Sequence, residues 1–277
     1  MVPVVSVQWL RENLTDQELI ILDASPASNK SSLPSHFPGM RIPGARYFDL
    51  KHKFSDPNAE MPNTLPQPEA FQGECQALGI NQSSKIIVYD NLGIYSSPRV
   101  WWMFKAMGHD RVSVLNGGLV EWGKHDYPME ERTEASYERG DFVVKPGSTF
   151  KKEMEDILQN LETKTSVVLD ARSKGRFDGT APEPREGLSS GHIPHSKSLP
   201  FSQVLEEGKF KSTNDLKELF EVLNPEEKPL IFSCGSGLTA CITYLAAELA
   251  TDAPKSVYDG SWTEWAQKQA GLIEKNA

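Results

Sequence analysis

Cys234 stands between a short apolar run and a helix-like stretch in "IFSCGSGLTACITYLAAELA", Ile231 to Ala250, with Gly235, Ser236 and Gly237 directly behind it. A cysteine that only packs in a strand needs no such loop. Small residues here let the backbone curl so that successive N–H groups point inward, forming an anion-binding nest at the N-terminus of the following helix. Such a nest stabilises a thiolate and makes the sulfur nucleophilic at neutral pH. The competing reading is a buried structural cysteine beside a strand-to-helix turn. The coincidence of strand end, glycines and helix start weighs against it.

The other cysteines read as packing residues: Cys75 inside the helix-like "EAFQGECQALG", and Cys241 two turns into the helix that follows Cys234. Three sparse cysteines with no CxxC pair and no metal-ligand spacing imply neither a metal nor another cofactor. On one helix Cys234 and Cys241 would lie about 10 Å apart at ~1.5 Å per residue, too far for a disulfide. Free thiols are expected.

An internal repeat supplies the elements that must position the cysteine. "LIILDAS" (19–25), "RIPGARYFDL" (41–50), "KIIVYDNLGIYSSPRVWWMFKAMG" (85–108) and "VSVLNGGLVEW" (112–122) are answered in order by "SVVLDARS" (166–173), "GHIPHSKSLPF" (191–201), "PLIFSCGSGLTACITYLAAELA" (229–250) and "KSVYDGSWTEW" (255–265). The offset is about 145–150 residues, which marks a duplicated domain. Short Ile- and Val-rich runs alternate with longer helix-like stretches, the pattern of parallel strands buried on both faces by helices. The expected fold is α/β, twice: a first domain over 1–129, a linker over 130–147 where "EERTEASYERGDFVVK" has no helical apolar stripe, and a second domain over 148–277. In this alignment Cys234 matches Asp90. Ligands of open parallel sheets gather at the carboxyl ends of the strands, so both halves offer a crevice and only the second puts a nucleophile in it.

Composition excludes several classes. With 277 residues, 38% hydrophobic and 24% charged, the chain suits two ordinary globular domains. A formal charge of −9 argues against non-specific nucleic-acid binding. The start "MVPVVSVQWLRENL" lacks the pattern of a secretory leader and no segment approaches 18 apolar residues, so a cytoplasmic protein without a membrane partner is expected.

"YSSPRVWWMF", "DARSKGRFDGTAPEPREGLSSGHIP", "CGSGLTA" and "YDGSWTEW", in this order within a tandem repeat, closely resemble the two-domain rhodanese superfamily, and within it the 3-mercaptopyruvate sulfurtransferases. The resemblance covers nearly the full chain. It implies two rhodanese-like α/β domains, with the site in the second domain facing the cleft between them. It also implies that Cys234 takes the sulfur of mercaptopyruvate as a persulfide, releases pyruvate, and passes the sulfur to a thiol acceptor such as thioredoxin or to cyanide. The loop Gly235, Ser236, Gly237, Leu238 and Thr239 would cradle the outer sulfur.

By the same resemblance Arg176 of "GRFDG" and Arg185 of "PEPRE" match carboxylate-binding arginines, Arg99 of "SSPRVWW" comes from the first domain, and Tyr95 lines the cleft. A substrate with a carboxylate and a ketone needs such fixed donors. The alternatives are ion pairing for Arg176 and Arg185 and interface packing for Arg99 and Tyr95. Arg172 reads as a structural partner of Asp170, Trp262 and Trp265 as core, and His192 and His195 as turn residues rather than bases. A proposed family relay supports the loop serine, here Ser236, with a histidine and an aspartate. The alignment puts Lys51 and Glu60 at those positions, so a dispensable relay is expected.

Three competing functions remain on the residues. Thiosulfate:cyanide sulfurtransferases typically carry basic side chains at the positions of Gly235 and Ser236 and lack the arginine after "PEP". Phosphatases of this fold need C-x5-R, and Ala240 stands where that arginine would be, removing the charge clamp for a phosphoryl group. A non-enzymatic persulfide relay module would not need the arginines.

Overall fold

The computed structural model describes residues 1–29, 31, 33–147 and 149–276. Its described residues form two compact units: 1–57 with 65–147 and 207–210, and 58–64 with 149–206 and 211–276. Ser148 and Ala277, the expected ends of the second domain, lie outside the described residues.

In the first unit the strands are β1 (Val4–Val5), β2 (Leu19–Asp23), β3 (Met40–Arg41), β4 (Arg46–Tyr47), β5 (Lys85–Tyr89), β6 (Val112–Leu115) and β7 (Glu130–Glu131), with helices α1 (Val7–Asn13), α2 (Pro68–Ala77), α3 (Ser97–Ala106) and α4 (Gly118–Lys124). Five strands make a parallel sheet in the order β1-β6-β5-β2-β4. The run "KIIVY" of β5 is buried after its first residue, as a central parallel strand covered on both faces must be.

The second unit holds β8 (Lys151–Lys152), β9 (Val167–Asp170), β10 (Lys197–Ser198), β11 (Leu205–Glu206), β13 (Leu230–Ser233) and β14 (Lys255–Tyr258), with α5 (Met154–Thr163), α6 (Lys174–Asp178), α7 (Thr213–Leu223), α8 (Ala240–Ala250) and α9 (Ser261–Lys268); β12 (Lys209–Phe210) folds with the first unit. Its parallel sheet runs β10-β9-β13-β14-β8. Strand for strand, this is the order of the first sheet. The buried "LIFS" of β13 delivers Cys234 at its carboxyl end, and α8 is buried along most of its length, as its apolar "ACITYLAA" requires. Trp262 and Trp265 are fully buried in this unit's core, as Leu119 and Trp122 are in the other.

The stretch expected as a linker folds with the first unit. There β7 pairs antiparallel with β3, Arg41 Nε donates to Glu130 Oε1 at 2.8 Å, and Phe142 is fully buried with ring centroids 5.9 Å from Phe104 and 6.1 Å from Phe71. An irregular segment shows no helical stripe, yet it can bury a single aromatic. Glutamine side chains satisfy its backbone: Gln76 donates to the Phe142 carbonyl, and Gln82 accepts from the Val143 N–H.

Candidate active site

The loop after β13 is built by a bend at Gly237, whose φ of 75° is the left-handed conformation glycine adopts without penalty. Because that bend delays the helix, α8 starts only at Ala240, and Cys241 lies in its first turn rather than two turns in. Cys241 is fully buried, its thiol 3.3 Å from the Gly237 carbonyl. Burial pushes the Cys75 thiol well up, keeping it protonated. All three cysteines are free thiols.

Cys234 is enclosed, 1% exposed. Ser261 braces its loop: the Ser261 hydroxyl accepts from the N–H of Cys234 at 3.2 Å and of Gly237 at 3.1 Å, and donates to the Tyr258 carbonyl at 2.8 Å. Ser261 does so at φ 51°, a left-handed conformation costly for a residue with a Cβ. The N–H groups of Ser236, Leu238 and Thr239 take no protein acceptor among the described residues. These are the N–H groups that the loop behind the cysteine leaves without an acceptor.

The two arginines meet this loop at one point. A Cβ built on Gly235 would lie 3.1 Å from Arg176 Nη2 and 3.9 Å from Arg185 Nη1. Arg176, on α6, is aimed by Glu183, to which Nη2 donates at 2.6 Å and Nε at 3.1 Å. Glu183 is itself buried and also accepts from Arg172 Nη1 at 2.7 Å, while Arg172 grips Asp170 and stacks 4.0 Å over the Trp262 ring. Arg176 is therefore in an ion pair, and the pair fixes its direction. The exposed Arg185 donates to Thr263 Oγ1 at 2.8 Å, and that hydroxyl donates to the Gly235 carbonyl at 2.5 Å. His192 Nδ1 lies 2.9 Å from the Phe177 carbonyl with its ring stacked on Phe177, the setting of a packed histidine.

Arg99 and Tyr95 fold with the first unit. Arg99 is fully buried in α3 with its guanidinium 4.5 Å from the centroid of the Trp102 ring. Tyr95 is half-buried, and its N–H donates to Asp90 Oδ2 at 2.9 Å. The Asp90 carboxylate fills its own loop. It accepts from the N–H of Leu92, Tyr95, Ser96 and Ser97 and from the Ser97 hydroxyl, at 2.7 to 3.0 Å.

The alignment that put Glu60 beside Ser236 is corrected by the geometry. Glu60 is exposed and pairs with Lys268 at 3.4 Å, and Lys51 is exposed in the first unit. The residue that faces Ser236 is Asn63, whose Nδ2 lies 2.9 Å from the Ser236 hydroxyl. Sequence reasoning also passed over Ser261, Thr263 and Glu183. The repeat held a signal for two of them: Ser261 and Thr263 stand opposite Gly118 and Val120, polar groups where the other half has none.

A rhodanese-like domain model matches residues 6–125 and again 153–268. The chain belongs to the rhodanese family. Among curated rhodanese relatives, a mouse 3-mercaptopyruvate sulfurtransferase is 41% identical over 94% of this chain and 91% of its own length. A plant relative from Arabidopsis thaliana, named thiosulfate/3-mercaptopyruvate sulfurtransferase 1, mitochondrial, is 39% identical over 98% of this chain and 78% of its own. Among solved rhodanese folds, an Escherichia coli structure described as that of a 3-mercaptopyruvate sulfotransferase superposes with a TM-score of 0.82 at 34% identity, covering 95% of this chain and 99% of that one. Among the described residues no helix is long and apolar enough to cross a membrane.

Proposed function

We propose that this rhodanese-family chain is a 3-mercaptopyruvate sulfurtransferase in which Cys234 carries the sulfur. The observation that carries the reading is the convergence of Arg176 and Arg185 on Gly235, the residue next to the cysteine. Two guanidiniums beside a nucleophilic thiol suit a donor whose carbonyl carbon is two bonds, and whose carboxylate carbon is three bonds, from its sulfur. The Cys234 thiolate attacks that sulfur, a sulfur–sulfur bond forms, the carbon–sulfur bond breaks, and its electron pair leaves as the enolate of pyruvate, which takes up a proton. The outer persulfide sulfur sits among the N–H groups of Ser236, Leu238 and Thr239, and enclosure protects it from water until a thiol acceptor such as thioredoxin, or cyanide, removes it.

The proposal gives the carboxylate to Arg176 and Arg185 and keeps Arg99, enclosed over Trp102, and Tyr95 as further substrate-binding candidates. It places the protein in the cytoplasm, to be checked by cell fractionation given the mitochondrial name of the plant relative.

The deciding experiment compares two donors: pyruvate release from mercaptopyruvate with a thiol acceptor, and thiocyanate formation from thiosulfate with cyanide. Mercaptopyruvate is expected to be the better donor. Arg185→Leu should raise its KM about tenfold to a hundredfold, the loss of a charge-assisted hydrogen bond, and that of thiosulfate far less. Equal damage to both donors gives Arg185 a purely structural part. A wild type that prefers thiosulfate overturns the donor assignment. Stoichiometric rather than catalytic pyruvate would indicate a relay module.

A further inference from the structure

The side chain that meets the loop serine cannot carry a proton at neutral pH. Asn63 belongs to the segment 58–64 that folds with the second unit, and it holds φ 60°, a left-handed conformation asparagine tolerates better than most residues. Thr64 closes the same turn by donating to the Met61 carbonyl at 2.8 Å. Asn63 Nδ2 lies 2.9 Å from Ser236 Oγ and 3.4 Å from the Ser236 carbonyl. A carbonyl oxygen only accepts, so the nitrogen rather than the amide oxygen must face this pair of atoms. The Ser236 hydroxyl therefore accepts from Asn63 and cannot give its proton to it. Among the described residues that hydroxyl donates to no protein group, which leaves its proton for an anion in the cysteine loop.

We infer that Asn63 is a positioning residue that, by donating to Ser236 Oγ, turns the Ser236 hydroxyl into a fixed hydrogen-bond donor for the sulfur anion, so that sulfur transfer at Cys234 runs without a side-chain proton relay. This rests on the reading of Cys234 as the sulfur carrier. In the transfer step the donor's thiol proton is lost to water, the sulfur–sulfur bond forms as the carbon–sulfur bond breaks, and the enolate of pyruvate takes its proton from water. No group on the protein changes protonation. Besides Cys234, the charged and titratable groups near the pair are Arg176 and Arg185 at Gly235 and, lining the pocket beside Met61 and Thr64, Glu60, Lys151, Glu153, Asp259, Glu264 and Lys268, with Glu60 and Glu264 both paired to Lys268.

Asn63→Asp tests this with nearly the same shape, because it replaces a donor by an acceptor. At pH 8 its kcat with mercaptopyruvate should fall at least tenfold while KM stays within twofold. The ratio of variant to wild-type rate should then rise as the pH is lowered to 5, where the new carboxyl begins to hold a proton and can donate again. Asn63→Ala, which frees the hydroxyl without adding charge, should lose only about fivefold in kcat, since a neutral hydrogen bond is worth about 1 kcal/mol. Asn63→Asp as fast as the wild type or faster would mean that a base at this position helps, and the inference fails. Asn63→Ala falling as far as Asn63→Asp, with thermal stability unchanged, also overturns it. The alkylation rate of Cys234 by iodoacetamide at pH 7 needs no donor and should drop in the same order, wild type, Ala, Asp. That order would stand even if the protein released no pyruvate, so failure of the donor assignment and failure of this inference are distinguishable.

Discussion

In the first unit the loop after β5 closes around the Asp90 carboxylate, which takes four N–H groups and one hydroxyl. In the second unit the matching loop after β13 leaves the N–H groups of Ser236, Leu238 and Thr239 without an acceptor among the described residues. The frame is otherwise the same: the Leu119 N–H donates to the Asp90 carbonyl at 3.0 Å and the Trp262 N–H to the Cys234 carbonyl at 2.9 Å. At Gly118 an added Cβ would come within 2.3 Å of the Asp90 carbonyl, whereas the matching Ser261 turns its hydroxyl to the cysteine loop. One half of the duplication thus seals its anion site with its own side chain. The other keeps the site open and spends a strained serine and a threonine hydroxyl on holding it. The comparison teaches that the loop frame belongs to the fold and that the two halves differ in what the loop holds.

The largest effect should come from making the two loops alike. Cys234→Asp is expected to abolish sulfur transfer, measured as loss of the ~32 Da adduct on the Cys234 peptide after incubation with donor. It should also raise the melting temperature of the second unit by about 3 °C, because a carboxylate filling the nest contributes about 1 kcal/mol net of its desolvation. A melting temperature that falls instead would show that the second loop, unlike the first, is not shaped for an anion.

A smaller effect is expected from Ser261→Gly, which restores the residue of the first unit. Two hydrogen bonds to the cysteine loop disappear, so kcat/KM should fall about tenfold to thirtyfold, corresponding to ~2 kcal/mol. Glycine also relieves the left-handed strain at φ 51°, which offsets about 1 kcal/mol of this, so the melting temperature should fall by only about 3 °C. A rate loss accompanied by a large drop in melting temperature would make Ser261 a stability residue.

Thr263→Val brings in the residue type of Val120 and should have the mildest consequence. The valine keeps the shape but breaks the path from Arg185 through the hydroxyl to the Gly235 carbonyl. KM for mercaptopyruvate is expected to rise about fivefold with kcat little changed, as for the loss of about one neutral hydrogen bond. An unchanged KM for both Thr263→Val and Arg185→Leu would detach this path from substrate binding.

Much of the fold was legible because it is periodic and repeated. Buried Ile- and Val-rich runs can only be central parallel strands here, and finding the same four blocks twice fixes two α/β units with the same strand order. The segment 130–147 was not legible in this way, since one buried Phe142 in an irregular stretch leaves no period to detect. At the candidate site, Cys234 and its glycines are adjacent in the sequence, so residue types alone could single them out.

The sequence by itself determined which strand-end loop holds a cysteine, that glycines flank it, and which arginines are available, because each depends on residue types a few positions apart. The tertiary structure decided what those groups face. Asn63 rather than Glu60 meets Ser236, 173 residues along the chain; Glu183 aims Arg176; Ser261 and Thr263 reach back to a loop 24 to 28 residues before them. A hydrogen bond between distant segments requires donor and acceptor within about 3 Å. Aligning a loop of uncertain length leaves a position free by several residues at ~3.3 Å each, so only the folded backbone can select which side chain makes the bond.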